Sequence, residues 1–415
     1  MANPRQYPSE TLALKRWAVT AALAILTSIL FVPITWAATR ETVLHNFGDG
    51  ANDGSTPSAG LILDAAGDLY GTTSYGGPDN LGTVFKLTPK ADGDWTEKVL
   101  YSFNQTGGSY PEAGLILDAA GDLYGTTYQG GTHGQGTAFE LTPQADGSWK
   151  EKVLHSFNIT DGANPEAGLI FDAAGNLYGT TDQGGTYGFG TAFELTPQGD
   201  GGWTEKVLHS FNFNETDGAN PEAGLIFDGA GNLYGTTNGS GTGSVGTVFE
   251  LTSKADGSWK EKVLYSFDGS DGSNPEAGLI LDRAGDLYGT TSSGGSDNLG
   301  TVFKLALKAD GDWTEKVLYS FNETDGAYPE AGLILDASGN LYGTTVGGGT
   351  NGDGTVFELT PEGGGSWTEK VLHNFNGMDG FAPYAGLTFD TAGNLYGTNT
   401  GGGTHNDGTA FELTP

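Results

Sequence analysis

The chain has 415 residues, of which 71 are glycine and none is cysteine, and its net charge is −33. This charge argues against binding to nucleic acid or to an anionic membrane surface, since both are negatively charged themselves. The lack of cysteine excludes disulfides, thiolate metal sites and a cysteine nucleophile.

The first predicted element is a secretory signal peptide over residues 1–37. Arg5, Lys15 and Arg16 supply the positive charge that begins such a segment. Residues 18–32 then form an apolar run of 15 residues, which is short for a transmembrane helix. An uncleaved membrane anchor is the alternative interpretation of the same run.

The predicted cleavage site lies after Ala37. Thr35 and Ala37 place small residues at the two positions that define such sites. After cleavage, residues 38–415 are expected as one domain without a membrane span. We expect this domain to be secreted or periplasmic, or to lie at the cell surface.

A repeat of about 54 residues fills the rest of the chain. The tripeptide Leu-Tyr-Gly recurs at steps of 54 residues, except for one step of 56 that has two extra residues near Phe213. Abundant glycine beside 11% aromatic residues favours short strands joined by tight turns. The tyrosines of the tripeptide are Tyr70, Tyr124, Tyr178, Tyr234, Tyr288, Tyr342 and Tyr396.

Each repeat contains four strand-like stretches, seen in the third copy at residues 168–172, 177–181, 191–195 and 203–211. The first two are joined by a hairpin turn with aspartate at its start and glycine where positive φ is needed. The fourth alternates along its length, as a strand with one buried face does. A four-stranded antiparallel unit of this length is typical of a propeller blade.

The two ends of the chain predict that the ring is closed. The first three strands occur seven times, but the fourth, with its tryptophan, occurs six times. The missing fourth strand is the stretch Glu41–Phe47 at the start. Pairing it with the last repeat would remove two exposed sheet edges. The sequence therefore predicts an all-β fold, a seven-bladed β-propeller closed by its N-terminal strand.

The repeat G-L-I-x-D-x-A-G-N/D-L-Y-G-T-T, followed by G-T-V/A-F-E-L-T and W-T-E-K-V-L-x-S-F, resembles the GloVer tandem repeat. The resemblance covers about residues 41–415. That family comprises bacterial choice-of-anchor surface proteins. The resemblance implies a secreted or surface protein and supplies no catalytic residues.

Two sets of carboxylates recur in the loop that joins one blade to the next. One interpretation is that they supply oxygen ligands for sugar hydroxyls or for a cation, with calcium the expected ion. The other is that each carboxylate caps its own turn. The ligand-binding set is Glu112, Glu166, Glu222, Glu276 and Glu330, and the metal-binding set is Asp161, Asp217, Asp271 and Asp325.

The loop between the second and third strands varies between copies and carries Tyr75, Tyr128 and Tyr187. Variable loops on a fixed scaffold are where recognition usually resides, so these tyrosines are further candidate ligand-binding residues. Drift in a glycine-rich loop is the alternative. Histidines recur at a fourth-strand position that other copies fill with tyrosine, which predicts packing there: His45, His155, His209 and His373.

The expected function is a monomeric binding protein without catalytic activity, whose partner is a glycan or a cell-surface polymer bound at several equivalent blades. A glycosidase needs two carboxyl groups in different environments, whereas these repeat with near-identical neighbours. An extracellular carbohydrate-active hydrolase or lyase remains an alternative, as does a structural envelope protein without a small ligand.

Overall fold

A computed structural model describes residues 39–414, which form seven four-stranded antiparallel sheets and two short two-stranded ones, Gly54–Ser55 with Tyr75–Gly76 and Gly218–Ala219 with Gly239–Ser240. The predicted signal segment, residues 1–37, lies outside the described residues. We number the sheets as blades 1 to 7 by the order of their innermost strands. No helix within residues 39–414 combines the length and hydropathy that a membrane span needs.

Each blade runs from a short inner strand to a long outer strand. The innermost strands are Ile62–Leu63, Ile116–Leu117, Ile170–Phe171, Ile226–Phe227, Ile280–Leu281, Ile334–Leu335 and Thr388–Phe389. The second strands are Leu69–Thr73, Leu123–Thr127, Leu177–Thr181, Leu233–Thr237, Leu287–Thr291, Leu341–Thr345 and Leu395–Asn399. The third strands are Thr83–Pro89, Thr137–Pro143, Thr191–Pro197, Thr247–Ser253, Thr301–Leu307, Thr355–Pro361 and Thr409–Thr414. The outer strands of blades 1 to 6 and then of blade 7 are Trp95–Ser102, Trp149–Ser156, Trp203–Ser210, Trp259–Ser266, Trp313–Ser320, Trp367–Asn374 and Arg40–Asn46.

The second strand is buried along its whole length, as Leu177–Thr181 shows. Its glycine is required by packing, because a Cβ on Gly179 would lie 2.7 Å from Phe193 Cζ and 2.9 Å from Leu169 Cδ2. The outer strand instead alternates half-buried and exposed residues over most of its length. The predicted four-strand blade is therefore confirmed, with its tightest packing at the second strand.

A phenylalanine pair fills each seam between neighbouring blades. The phenylalanine that follows each outer strand packs edge-on against one in the third strand of the next blade, with ring centroids 4.9 to 5.1 Å apart. Edge-to-face pairs add stabilisation to the burial of two rings. The pairs are Phe47–Phe85, Phe103–Phe139, Phe157–Phe193, Phe211–Phe249, Phe267–Phe303, Phe321–Phe357 and Phe375–Phe411.

The aspartate that begins the first hairpin of every blade stabilises that turn. Asp172 Oδ1 accepts hydrogen bonds from the backbone N–H groups of Ala174 and Asn176, and Oδ2 accepts one from the Tyr178 hydroxyl. Tyr178 in turn packs against Trp259 of the next blade. The turn, the tyrosine and the tryptophan thus form one structural unit.

The ring closes as predicted. Arg40–Asn46 pairs with Thr409–Thr414 in antiparallel register and completes blade 7. Across the seam from blade 7 to blade 1, the Thr398 hydroxyl donates to the Ala59 carbonyl at 3.0 Å. The same threonine-to-alanine bond occurs in the other six seams.

We predict that Thr398→Val and Thr180→Val destabilise the protein equally. Each removes a buried hydroxyl and leaves a buried carbonyl unpaired, which costs about 1–2 kcal/mol. Thermal unfolding followed by circular dichroism measures both changes. If Thr180→Val lowers Tm and Thr398→Val does not, the ring is open between blades 7 and 1.

Candidate functional site at the channel mouth

Two sets of loops pair with each other at one end of the ring, which we call the top face. The loop from one blade to the next forms an antiparallel bridge with the loop between the second and third strands. Examples are Gly218–Ala219 with Gly239–Ser240, and Ala163 with Gln183. The two kinds of loop therefore share one face of the ring.

Glycines bring neighbouring top loops close together. The glycine that precedes each inner strand would place a Cβ only 3.2 to 3.7 Å from the carbonyl oxygen of the equivalent glycine in the preceding blade. Gly60 contacts Gly386 in this way, so the glycine ring is continuous. Each predicted glutamate lies two residues before such a glycine, as Glu166 does before Gly168. The glutamates of successive blades therefore converge around the ring axis.

The glutamates are half-buried and influence one another. The pKa of Glu166 is raised to about 8, first by burial and then by the nearby charges of carboxylates such as Glu222 and Asp182. Burial likewise raises the pKa of Glu222 and of Glu330 to about 7. The pKa values of the remaining two, Glu112 and Glu276, are also raised by burial.

A second set of side chains includes two that contact the glutamates, and sequence analysis identified only its Tyr128. It consists of the residue that follows each second strand. Asn238 Nδ2 donates to Glu222 Oε1 at 2.8 Å, and the Ser292 hydroxyl donates to Glu276 Oε1 at 3.1 Å. The signal was present, because this residue differs between most copies: Ser74, Tyr128, Asp182, Asn238, Ser292, Val346 and Thr400. We call the two sets together the mouth residues.

The tyrosines divide between the mouth and the rim of the top face. Tyr128 lies among the mouth carboxylates: burial raises its pKa, and Glu166 and Asp182 add to the shift. Tyr384 replaces a glutamate in the ring, and the nearby Glu330 contributes to its raised pKa after burial. The other two predicted tyrosines are exposed: Tyr75, beside Tyr110, and Tyr187, at 55%.

The four predicted metal-binding aspartates lie away from the mouth. Each accepts a backbone hydrogen bond within its own turn, from Asn158 N–H to Asp161, from Gly218 N–H to Asp217, from Asp268 N–H to Asp271 and from Asn322 N–H to Asp325. Each aspartate therefore caps its own turn, and Asp161 and Asp217 also lie beside a histidine and a glutamate. In contrast, the hydrogen bonds that Glu222 and Glu276 accept come from side chains.

A separate cavity of about 640 Å³ lies among the inner strands of blades 4, 5 and 6. Its wall is largely apolar and includes Phe227, Leu279 and Ile280. Both oxygens of Asp282, which also lines it, already accept hydrogen bonds in the first hairpin turn. The mouth residues therefore remain the better candidate for recognising a polar ligand.

The sequence match to known proteins spans this whole ring. A family model of the Gloeobacter/Verrucomicrobia repeat matches residues 30–172, 137–262 and 228–415. The chain belongs to the Gloeobacter/Verrucomicrobia repeat family. The resemblance predicted from the repeat motif is thus confirmed. Among curated proteins, none matches the chain.

Two solved structures match this repeat protein, and the first of them resembles it in fold. A Bacteroides uniformis protein, provisionally described as a 6-phosphogluconolactonase, superposes with a TM-score of 0.52 at 14% identity. The match covers 76% of this chain and 84% of that one. A Thermus thermophilus protein, provisionally described as a glucose dehydrogenase, gives a TM-score of 0.44 at 18% identity, covering 73% of this chain and 96% of that one. At such identities the likeness concerns the fold alone.

We predict that Glu166→Gln stabilises the repeat protein at high pH. The folded-state pKa of Glu166 lies above its unfolded value, so the parent loses stability as pH rises from about 4.5 to about 8. Glutamine stays neutral, so the variant avoids a loss on the order of 5 kcal/mol at pH 9.

Denaturant unfolding at pH 4 and pH 9 measures this difference. At pH 4 the parent carboxyl is protonated, and the two proteins should be equally stable. Glu215→Gln, in an exposed loop, is the matched control and should change little at either pH. A Glu166→Gln variant that gains nothing between pH 4 and pH 9 would show that the mouth carboxyl is solvated.

Proposed function

We propose that this protein binds a hydroxyl-rich ligand, a glycan or cell-surface polymer, at the mouth residues. The observation that carries the proposal is the convergence of five half-buried glutamates with Tyr128 and Tyr384 around one opening. Their carboxyl groups have pKa values that burial has raised, in three cases to about 7 or 8. Near neutral pH such groups exist in both protonation states.

This chemistry suits sugar hydroxyls. A protonated carboxyl donates one hydrogen bond and accepts others, so it can match a hydroxyl group, which also does both. Asn238 and Ser292 add amide and hydroxyl groups that are already oriented by hydrogen bonds to the glutamates. Tyr128 adds an amphipathic aromatic ring of the kind that is enriched in recognition surfaces. Few polar groups in fixed positions are typical of small-molecule sites.

The mouth favours one central site over seven equivalent ones. The glutamate ring is interrupted by Ser58 and Tyr384, and the residue after the second strand ranges from Asp182 to Val346. A ligand seated across the axis therefore meets different side chains in different directions. This asymmetry would orient a polymer that the repeated scaffold alone could not.

We propose binding without turnover. Acid–base catalysis of glycoside cleavage needs one carboxyl that stays ionised and one that stays protonated. The pKa values of the five mouth glutamates are all raised, and burial is the first cause in each case. Export fits this role, and the signal-like residues 1–37 support it.

Binding of the full chain to a broad panel of soluble polysaccharides tests the proposal, with each ligand run once with calcium and once with chelator. We expect Tyr128→Ala and Asn238→Ala to weaken binding about tenfold each, as loss of one central contact does. Tyr187→Ala is the control, because Tyr187 is an exposed tyrosine of the equivalent loop in the next blade.

Three results would contradict the proposal. Binding that Tyr187→Ala abolishes and Tyr128→Ala spares would move the site to the rim of the top face. Absence of binding across the panel would favour the structural role. Release of reducing sugar from a bound polysaccharide would instead show turnover.

A further inference from the structure

Histidine and two carboxylates meet at four of the seven seams between blades, outside the mouth. At each, the histidine comes from one outer strand, the aspartate from the top loop that follows it, and the glutamate from the outer strand of the next blade. Their nearest ligand-type atoms all lie within 4.8 Å of one another. The four sets are His45–Asp53–Glu97, His155–Asp161–Glu205, His209–Asp217–Glu261 and His373–Asp379–Glu41.

The histidine–aspartate distances are compatible with two ligands of one small metal ion, and in the sets of His209 and His373 they are also hydrogen bonds. The histidine Nε2 lies 3.4 Å from the aspartate oxygen in the first two sets, and 3.0 and 3.2 Å from it in the others. Ligands about 2.1 Å from a tetrahedral ion are separated by about 3.4 Å. In the first two sets the Nε2 atom is buried and lacks a hydrogen-bond partner despite this proximity.

The glutamates supply a further observation, which the histidine seams share with the three tyrosine seams. Oε1 of the outer-strand glutamate is buried without a hydrogen-bond partner at every seam: Glu41, Glu97, Glu151, Glu205, Glu261, Glu315 and Glu369. An unpaired buried carboxylate oxygen is costly and needs an explanation. At the four histidine seams, this oxygen belongs to the same group of side chains as the imidazole.

Packing fixes each imidazole in place. The four histidine rings stand edge-on to the phenylalanine two residues later, with centroids 4.7 to 4.8 Å apart. The packing role predicted from the sequence is therefore confirmed, and it directs Nε2 toward the carboxylates.

We propose that these four seams bind divalent zinc or a similar transition metal ion, ligated by histidine Nε2 and one oxygen from each of the two carboxylates. Imidazole with carboxylate is a common ligand set for zinc, with water in the fourth position. Calcium is disfavoured, because it takes six to eight oxygen ligands and not imidazole. The sites thus differ from the calcium sites expected from the aspartates alone.

The other three seams are natural controls. Tyrosine replaces histidine there, and the Tyr319 hydroxyl donates to Asp325 at 2.6 Å, while Tyr265 donates to Asp271. Tyrosine is thus compatible with the same fold and closes the seam by a hydrogen bond. At the seam of blades 1 and 2 the aspartate is itself replaced, by Gly107.

Two of the proposed sites share the strand that closes the ring. Glu41 and His45 both lie on Arg40–Asn46, one facing each neighbouring blade. Metal at these sites would hold the closing strand to blade 6 on one side and to blade 1 on the other. We therefore expect zinc to stabilise ring closure.

The proposal is tested on the untagged full chain, which is first treated with chelator and dialysed. Elemental analysis and calorimetry then measure how much zinc the chain binds. We expect about four ions per chain, one for each histidine set. His155→Tyr should remove one ion, and replacing all four histidines by tyrosine should remove all of them. Tyr319→His should add one, since Asp325 and Glu369 already stand at that seam.

Melting temperature gives a second readout. Zinc should raise Tm of the parent and leave Tm of the fourfold tyrosine variant unchanged, while calcium should not produce the parent's rise. Because tyrosine occupies three native seams, this variant is expected to fold, which its circular dichroism in chelator checks. The proposal is overturned if the parent binds no zinc, or if bound zinc persists in the fourfold variant.

Discussion

The pairing of Arg40–Asn46 with Thr409–Thr414 is the contact on which the ring depends. Six blades are each continuous in sequence, but the seventh exists only when the two ends of the described chain meet. Every other seam can form between neighbours in sequence, whereas Thr398 and Ala59 are separated by 339 residues. A chain without disulfides closes this long loop with main-chain hydrogen bonds, a phenylalanine pair and a glycine contact.

Repetition of the seam leaves the top face free to vary. The glycine, threonine and phenylalanine contacts recur at all seven seams with little change in distance. The residue after the second strand takes no part in those contacts and differs between most blades. The recurring residues therefore hold the scaffold, and the differing residues line the mouth. The outer seams vary in the same way, because either histidine or tyrosine occupies one position of the outer strand.

The period of 54 residues, the hairpin turns and the displaced fourth strand were enough to predict the blades and their closure. The placement of the carboxylates was harder to predict. Asp161 and Glu166 are five residues apart, yet Gly162 and Asn164 between them adopt positive φ and turn the chain. Asp161 consequently contacts the outer strands, while Glu166 reaches the axis. The partner of His155 is Glu205 on the next blade, and contact between blades has no signal in local sequence.

The register of the closing strand would allow the two ends of the described chain to be joined by a short turn. Arg40 lies opposite Thr414, just as Thr204 lies opposite Thr196 in blade 3. In blade 3, residues 197–203 connect these two positions. A copy of that turn would therefore join the ends, and the chain could be opened at the matching turn of another blade. Such a circular permutant would keep every seam. Any of the seven blades could then be the one that the two chain ends complete by pairing.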